Sequence, residues 1–264
     1  MVDHLAEAPI KIEKREHYAV VVIDRASRMN ALSIGAMQAM VEAMDRLGRD
    51  PEIRAVVITG AGDRAFCAGA DLKEADELAR QGKSFPHPMT GLHRNVFEAI
   101  LECPKPTVAA INGLALGAGM ELALACDIRL LAEGARLGLP EATRGMGANF
   151  GSVVLPRLVP RAIAFDLLYT GRTIMPDEAL AIGLINQVIS VDCFASKVAE
   201  YAALIASNAP LTLQRYKQMA LKGWEMGVHA ALRLDVGPNP YASEDRIEGV
   251  RAFVEKRKPR WQGK

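Results

Sequence analysis

The sequence predicts an α/β fold in which strands and helices alternate over most of the chain and helices alone follow. Apolar runs rich in Val, Ile and Ala at residues 18–23, 55–59 and 107–111 are typical of buried strands. A segment with apolar residues at helical spacing separates the first two runs. This order of elements is the pattern of an α/β protein.

The first elements follow from local signals. Residues 10–15 and 17–24 are expected to form two strands, and a helix follows with Ser33 as its N-cap. Met, Val and Leu recur within this helix every three or four residues, and Gly48 ends it. Residues 55–59 then return the chain to a buried strand.

The central stretch, residues 106–127, is the most informative part of the chain. A strand at 107–111 is ended by an Asn-Gly turn, and a helix is expected to begin within the glycine-rich residues 117–119. The first turn of a helix leaves N–H groups unpaired, and these suit a carbonyl oxygen that becomes negative during a reaction. Glu121 lies in that first turn. The alternative is a tight strand-to-helix turn with a solvated glutamate.

Two further segments could contribute to a site. Residues 68–72 form a second glycine-containing turn before a helix and offer another backbone N–H, although Asp71 there is equally an ordinary N-cap. Glu141 follows Pro140 at the end of a short strand expected over 136–139, where its side chain can point into a pocket or into solvent. The glycines within 145–151 predict a flexible turn before a helix.

The second half is mostly helical. We place the domain boundary at residue 192, which gives a core over 1–191 and a helical module over 192–264. The expected elements are helices at 160–170, 176–182, 192–207, 210–223, 225–236 and 243–257, with one strand at 184–189.

Composition excludes several classes of protein. The 264 residues have a net charge of +1 and are 50% hydrophobic and 5% aromatic, which favours neither nucleic-acid nor membrane binding. The 4 cysteines form no Cys-x-x-Cys pair, so no disulfide framework or metal site is indicated. Residues 60–65 match a loose dinucleotide pattern, but no helix is expected directly after them. A soluble cytoplasmic protein is expected.

The motifs together resemble the crotonase (enoyl-CoA hydratase/isomerase) superfamily, and the resemblance runs almost end to end. The matching segments are residues 30–33, 65–71, 104–113, 117–127, 139–141, 168–172, 178–185, 243–246 and 253–257.

The resemblance implies a spiral of ββα turns with a C-terminal helical module that forms trimers, or hexamers built from two trimers. It implies an acyl-CoA thioester as substrate, with no metal and no separate cofactor. Glu121 and Glu141 match the acid–base positions, and the N–H groups of Ala70 and Ala118 match the oxyanion hole. The remaining positions, matched to substrate or CoA binding, are Ala31, Ala68, Asp71, Leu72, Gly117, Phe253 and Lys256.

Two carboxyls favour hydration of a 2-enoyl-CoA, because one group can deprotonate water while the other protonates the α-carbon. Residues 144–151 depart from the glycine-rich run that is usual in short-chain hydratases. Isomerisation, or dehydration of a specialised acyl-CoA, therefore stays an alternative. A non-catalytic relative that binds CoA or RNA is the remaining alternative, which the near-zero net charge disfavours.

Overall fold

The computed structural model describes residues 8–85 and 94–264. The strands are β1 Ile10–Lys14, β2 Tyr18–Ile23, β3 Ala55–Gly60, β4 Ala65–Cys67, β5 Thr107–Ile111, β6 Leu114–Leu116, β7 Ile128–Ala132, β8 Leu137–Gly138, β9 Thr173–Ile174 and β10 Gln187–Ile189. The helices are α1 Ile34–Arg49, α2 Leu72–Arg80, α3 Val96–Leu101, α4 Ala118–Ala125, α5 Asn149–Leu158, α6 Arg161–Thr170, α7 Pro176–Ala181, α8 Phe194–Ala206, α9 Pro210–Gly223, α10 Val228–Ala231 and α11 Glu244–Val254.

The strands form two sheets. The first has six strands in the order β1-β2-β3-β5-β7-β10, parallel except for the antiparallel pair β1–β2. The second has four strands in the order β4-β6-β8-β9, of which β9 alone is antiparallel to its neighbour. The sheets are therefore mixed but predominantly parallel.

The chain visits both sheets in turn. Strands β3, β5 and β7 lie in the first sheet, and each is followed by a strand of the second sheet, β4, β6 and β8. A helical segment then leads to the next turn. This is the spiral of ββα turns that the resemblance implied, and the predicted α/β class is confirmed.

Helices cover both faces of the first sheet. Helices α1, α3, α4 and α5 enclose the main core with apolar side chains such as Met40, Phe97 and Leu122. On the opposite face, Val198 and Ala202 of α8 pack near Val57 of β3. A parallel sheet covered on both sides explains the continuous apolar runs of β3 and β5.

An ion pair with one buried partner joins the C-terminal helices to the core. Lys217 Nζ on α9 lies 2.9 Å from Asp127 Oδ2, and the same carboxylate accepts the N–H of Thr107 at 2.8 Å. Arg54 also donates to the carbonyl oxygen of Trp261 at 3.0 Å. The boundary at residue 192 stays a prediction. Across residues 8–85 and 94–264 no helix combines the length and apolar character that a membrane span requires.

Three elements differ from the prediction. Strand β6 was not predicted. Helix α5 begins at Asn149, before Gly151, and the helix expected at 225–236 is confined to Val228–Ala231. A short 3₁₀ helix, Pro140–Arg144, follows β8. It fixes the backbone on which Glu141 stands.

Candidate active site

Three neighbouring parallel strands of the second sheet end at one place. Ala70 follows β4, Ala118 follows β6 and Glu141 follows β8. Because parallel strands run in the same direction, their carboxyl ends meet at one edge of the sheet. The fold therefore brings together residues from three turns of the spiral.

Glycines allow the loop after β4 to touch the start of α4. A methyl group on Gly119 would lie 2.0 Å from the carbonyl oxygen of Cys67, so this position requires glycine. A methyl group on Gly69 would lie 3.6 Å from the nitrogen of Ala118, and one on Gly117 would lie 3.9 Å from Cα of Gly69. The two loops thus approach each other through backbone atoms.

The N–H groups of Ala70 and Ala118 lie in these two loops. The flanking backbone is held by Leu32, whose N–H donates to Gly69 at 2.8 Å and whose carbonyl oxygen accepts from Asp71 at 2.9 Å. Within the described part of the chain, neither the N–H of Ala70 nor that of Ala118 donates a hydrogen bond. Two free donors, one at the N-terminus of α4, suit an oxygen that gains negative charge.

Glu121 lies inside the protein, in the first turn of α4. Its side chain is 4% exposed, and its Oε1 accepts the N–H of Gly151 at 2.8 Å. Burial raises the pKa of Glu121 from 4.5 to about 7, opposed by the N–H of Gly151 and raised further by the charge of Glu141. This carboxyl therefore exchanges protons near neutral pH.

Glu141 is the second buried carboxyl, at 8% exposure. A methyl group on Gly117 would lie 2.9 Å from its Oε1, which places this carboxyl beside the turn that begins α4. Its Oε2 has no hydrogen-bond partner among the described residues. Burial raises the pKa of Glu141, and its own backbone N–H and then the positive charge of Arg144 partly oppose this effect. An unpartnered carboxyl oxygen is free to give or take a proton.

Asp71 is the N-cap of α2, one of the two roles considered for it from the sequence. Its side chain accepts the N–H groups of Lys73 and Glu74 at the start of α2. It also pairs with Arg25 at 2.8 Å, and the guanidinium of Arg25 donates to the carbonyl oxygen of Ala31 as well. Sequence analysis missed Arg25, because no local pattern links it to a partner far along the chain.

The other candidates are placed as follows. Ala68 donates its N–H to Met29 at 3.0 Å, and Leu72 is an exposed residue at the start of α2. Phe253 lies in the last turn of α11 and is 84% exposed, and Lys256 lies just beyond the end of this helix. No contact within the described part of the chain joins these last two residues to the carboxyls, so their CoA role stays a prediction.

One large cavity of the described structure lies away from these residues. It has a volume of about 770 Å³ and lies between the first sheet and α8, with Val20, Val57, Ala110 and Phe194 among its lining residues. Neither Glu121 nor Glu141 lines it. The candidate active site is therefore identified from the two carboxyls and the two free N–H groups, and not from the volume of a cavity.

Comparison with known proteins identifies the family of the chain. A family model described as enoyl-CoA hydratase/isomerase matches residues 13–264. The short-chain-enoyl-CoA hydratase of Clostridium acetobutylicum is 37% identical over 251 residues, 94% of this chain and 95% of that protein. The (E)-benzylidenesuccinyl-CoA hydratase of Thauera aromatica is 36% identical over 267 residues, 97% of this chain and 99% of that protein. A solved enoyl-CoA hydratase from Bacillus anthracis has a TM-score of 0.86 at 34% identity, covering 97% of this chain and 100% of that one.

Proposed function

The chain belongs to the enoyl-CoA hydratase/isomerase family, and from this premise we propose that it adds water to a 2-enoyl-CoA to form a 3-hydroxyacyl-CoA. The observation that carries the proposal is the presence of two buried carboxyls with raised pKa values, Glu121 and Glu141, beside two free backbone N–H groups. Hydration needs both of these features.

The N–H groups of Ala70 and Ala118 hold the thioester oxygen. When water attacks the β-carbon, electrons shift through the conjugated system and the thioester becomes an enolate with negative charge on that oxygen. Preorganised donors stabilise this charge more than they stabilise the neutral carbonyl. Both donors belong to backbone fixed by parallel strand ends, so little reorganisation is needed.

The two glutamates divide the proton transfers. Glu121, as carboxylate, takes a proton from water while the water oxygen bonds to the β-carbon. Glu141, as carboxylic acid, gives its proton to the α-carbon. One molecule of water is added, and the two glutamates return to their starting states by exchanging protons with solvent. Burial raises the pKa of Glu121 to about 7, which suits proton transfer near neutral pH, and burial raises the pKa of Glu141 as well.

An isomerase is the second candidate. The Oε1 of Glu121 is engaged by Gly151, whereas Oε2 of Glu141 has no hydrogen-bond partner in the described structure. A single free carboxyl can remove a proton from one carbon of an enoyl-CoA and return it to another. The same two N–H groups would stabilise the enolate formed between these steps.

Self-association completes the proposal. Helix α11 presents exposed apolar side chains at Ile247, Val250, Phe253 and Val254. An apolar surface of this kind is typical of an interface between subunits. We assign the helical module to a trimer, alone or doubled into a hexamer, in a cytoplasmic enzyme, with Phe253 and Lys256 contacting CoA.

Crotonyl-CoA tests the function directly. Loss of the ultraviolet absorbance of the conjugated thioester, with 3-hydroxybutyryl-CoA identified by mass spectrometry, is the expected result. A 3-enoyl-CoA offered in parallel separates the candidates, since an isomerase would produce the conjugated absorbance. Binding of CoA without either conversion would contradict both assignments.

A further inference from the structure

Two phenylalanine rings lie together in the main core, and one of them directly precedes Gly151 in the chain. The rings of Phe97 on α3 and Phe150 on α5 are stacked, with centroids 5.3 Å apart and an angle of 28° between their planes. Both side chains are buried in the main core. Such pairs add to stability beyond the burial of apolar surface and have a defined geometry.

The stack acts on the first turn of α5. Phe150 is the second residue of this helix, directly before Gly151, whose N–H donates to Oε1 of Glu121 at 2.8 Å. The N-cap position, Ala148, provides no side-chain hydrogen bond to this turn, and on its exposed side Ser152 Oγ donates to the carbonyl oxygen of Asn149 at 3.1 Å. The ring of Phe150, next to Gly151 in the chain, anchors the buried side of the turn.

We propose that Phe97 and Phe150 are positioning residues, whose stacked rings hold the first turn of α5 so that the N–H of Gly151 stays on Glu121. Neither ring takes part in the chemistry. Their catalytic consequence rests on the proposed function, because it requires Glu121 to act as a base. The effect of the two rings on the titration of Glu121 does not depend on the proposed function.

No other charged side chain packed near Glu121 replaces the contact with the N–H of Gly151. Glu141 is the neighbouring group whose charge acts on Glu121, and its own environment includes Arg144. Glu98 on α3 accepts the N–H of Asn95, and Arg157 on α5 pairs with Glu225 at the surface. The ionised form of Glu121 is favoured by the N–H of Gly151 and, to a smaller extent, by the N–H of Phe150, both in the first turn of α5.

Titration of Glu121 tests the proposal without substrate. Glutamate labelled with ¹³C at the carboxyl is followed by NMR, and the Glu121 signal is identified by its loss in Glu121→Gln. Removing the stack by Phe97→Leu or Phe150→Leu loosens the N–H contact, and the vacated space stays dry because it is apolar. We expect the pKa of Glu121 to rise by about half a unit or more in either variant. In the double variant the rise should be no larger, because both changes break one contact.

A control variant distinguishes a specific effect of the stacked rings on Glu121 from a general loss of core packing. Phe194→Leu removes a similarly buried ring on α8, away from the site, and should leave the pKa of Glu121 unchanged. If Phe150→Leu does not fold, Phe97→Met keeps most of the volume and serves the same test. An unchanged pKa in a folded stack variant, an equal shift in Phe194→Leu, or full additivity in the double variant would overturn the proposal. A shift in an enzyme without hydratase activity would contradict only the proposed function.

Discussion

The backbone N–H of Gly151 donates a 2.8 Å hydrogen bond to Oε1 of Glu121, so the carboxyl of one helix caps the N-terminus of another. Helix α5 has no side-chain cap of its own. Burial opposes the ionised form of Glu121, and this N–H group favours it. The balance leaves a buried carboxyl that titrates near neutrality, as an acid–base catalyst requires.

Glu121 should weaken the fold as the pH rises. Its pKa is about 7 when folded and 4.5 ordinarily, so the folded state binds the proton more tightly. Stability is therefore lost as pH increases through this interval, by at most about 3 kcal/mol. Glu121→Gln keeps an oxygen acceptor but cannot ionise. Urea unfolding at pH 5 and pH 8 should show a relative stabilisation of this variant that grows with pH, and an equal difference at both pH values would contradict the assignment.

Gly117 should be required for the position of Glu141. A methyl group there would lie 2.9 Å from Oε1 of Glu141, whereas one at Gly134 meets nothing within 4 Å. Both glycines have positive φ, so each change to alanine costs roughly 1 kcal/mol or more in backbone strain. We expect Gly117→Ala to lower kcat by about tenfold or more, since it would displace Glu141, the proposed proton donor, and such displacement is costly. Equal kcat values in Gly117→Ala and Gly134→Ala would refute this role.

Lys217 should stabilise the attachment of the helical module. Its side chain is 6% exposed, and Asp127, its partner, is 27% exposed. Removing one partner of a largely buried pair leaves an uncompensated charge, so Lys217→Ala should cost about 2–3 kcal/mol. The exposed pair of Lys197 with Glu200 is the control, and Lys197→Ala should change stability little. Denaturant unfolding measures both, and similar losses would argue against a special role for Lys217.

The N–H of Ala118, and not its methyl group, should matter for catalysis. Ala118 is the first residue of α4, a position that tolerates proline. Ala118→Pro removes the N–H and should lower kcat by about 10²–10³. Ala118→Gly retains the N–H, and its kcat should change by less than about tenfold, or 1.4 kcal/mol. Full activity in the proline variant would remove Ala118 from the oxyanion hole.

The sequence predicted correctly those features that depend on contacts between residues close together in the chain. Ser33 and Asp71 were identified as N-caps, and each accepts backbone N–H groups at the start of its helix. Glu121 was placed in the first turn after a glycine-rich stretch, as observed. These residues depend on neighbours within a few positions, and the sequence displays those neighbours.

Features that depend on distant neighbours were missed. Strand β6 has only three residues and owes its existence to pairing with β4 and β8. Gly151 was assigned to a flexible turn, but it lies inside α5, where a methyl group would meet the side chain of Leu139 at 2.9 Å. Position 151 is therefore occupied by a residue without a side chain because α5 packs closely against Leu139 and Glu121 there. The ion pair between Arg25 and Asp71 joins residues 46 positions apart, and no spacing rule reveals such a contact.

The most direct test of the account is the rate of crotonyl-CoA hydration by the native enzyme, Glu121→Gln and Glu141→Gln, compared at equal CoA occupancy. The native enzyme should form the 3-hydroxyacyl product. Each variant should lose about 10²-fold or more in kcat while binding CoA unchanged, because each lacks one of the two proton transfers. Native turnover in either variant would contradict the division of the reaction between these two carboxyls.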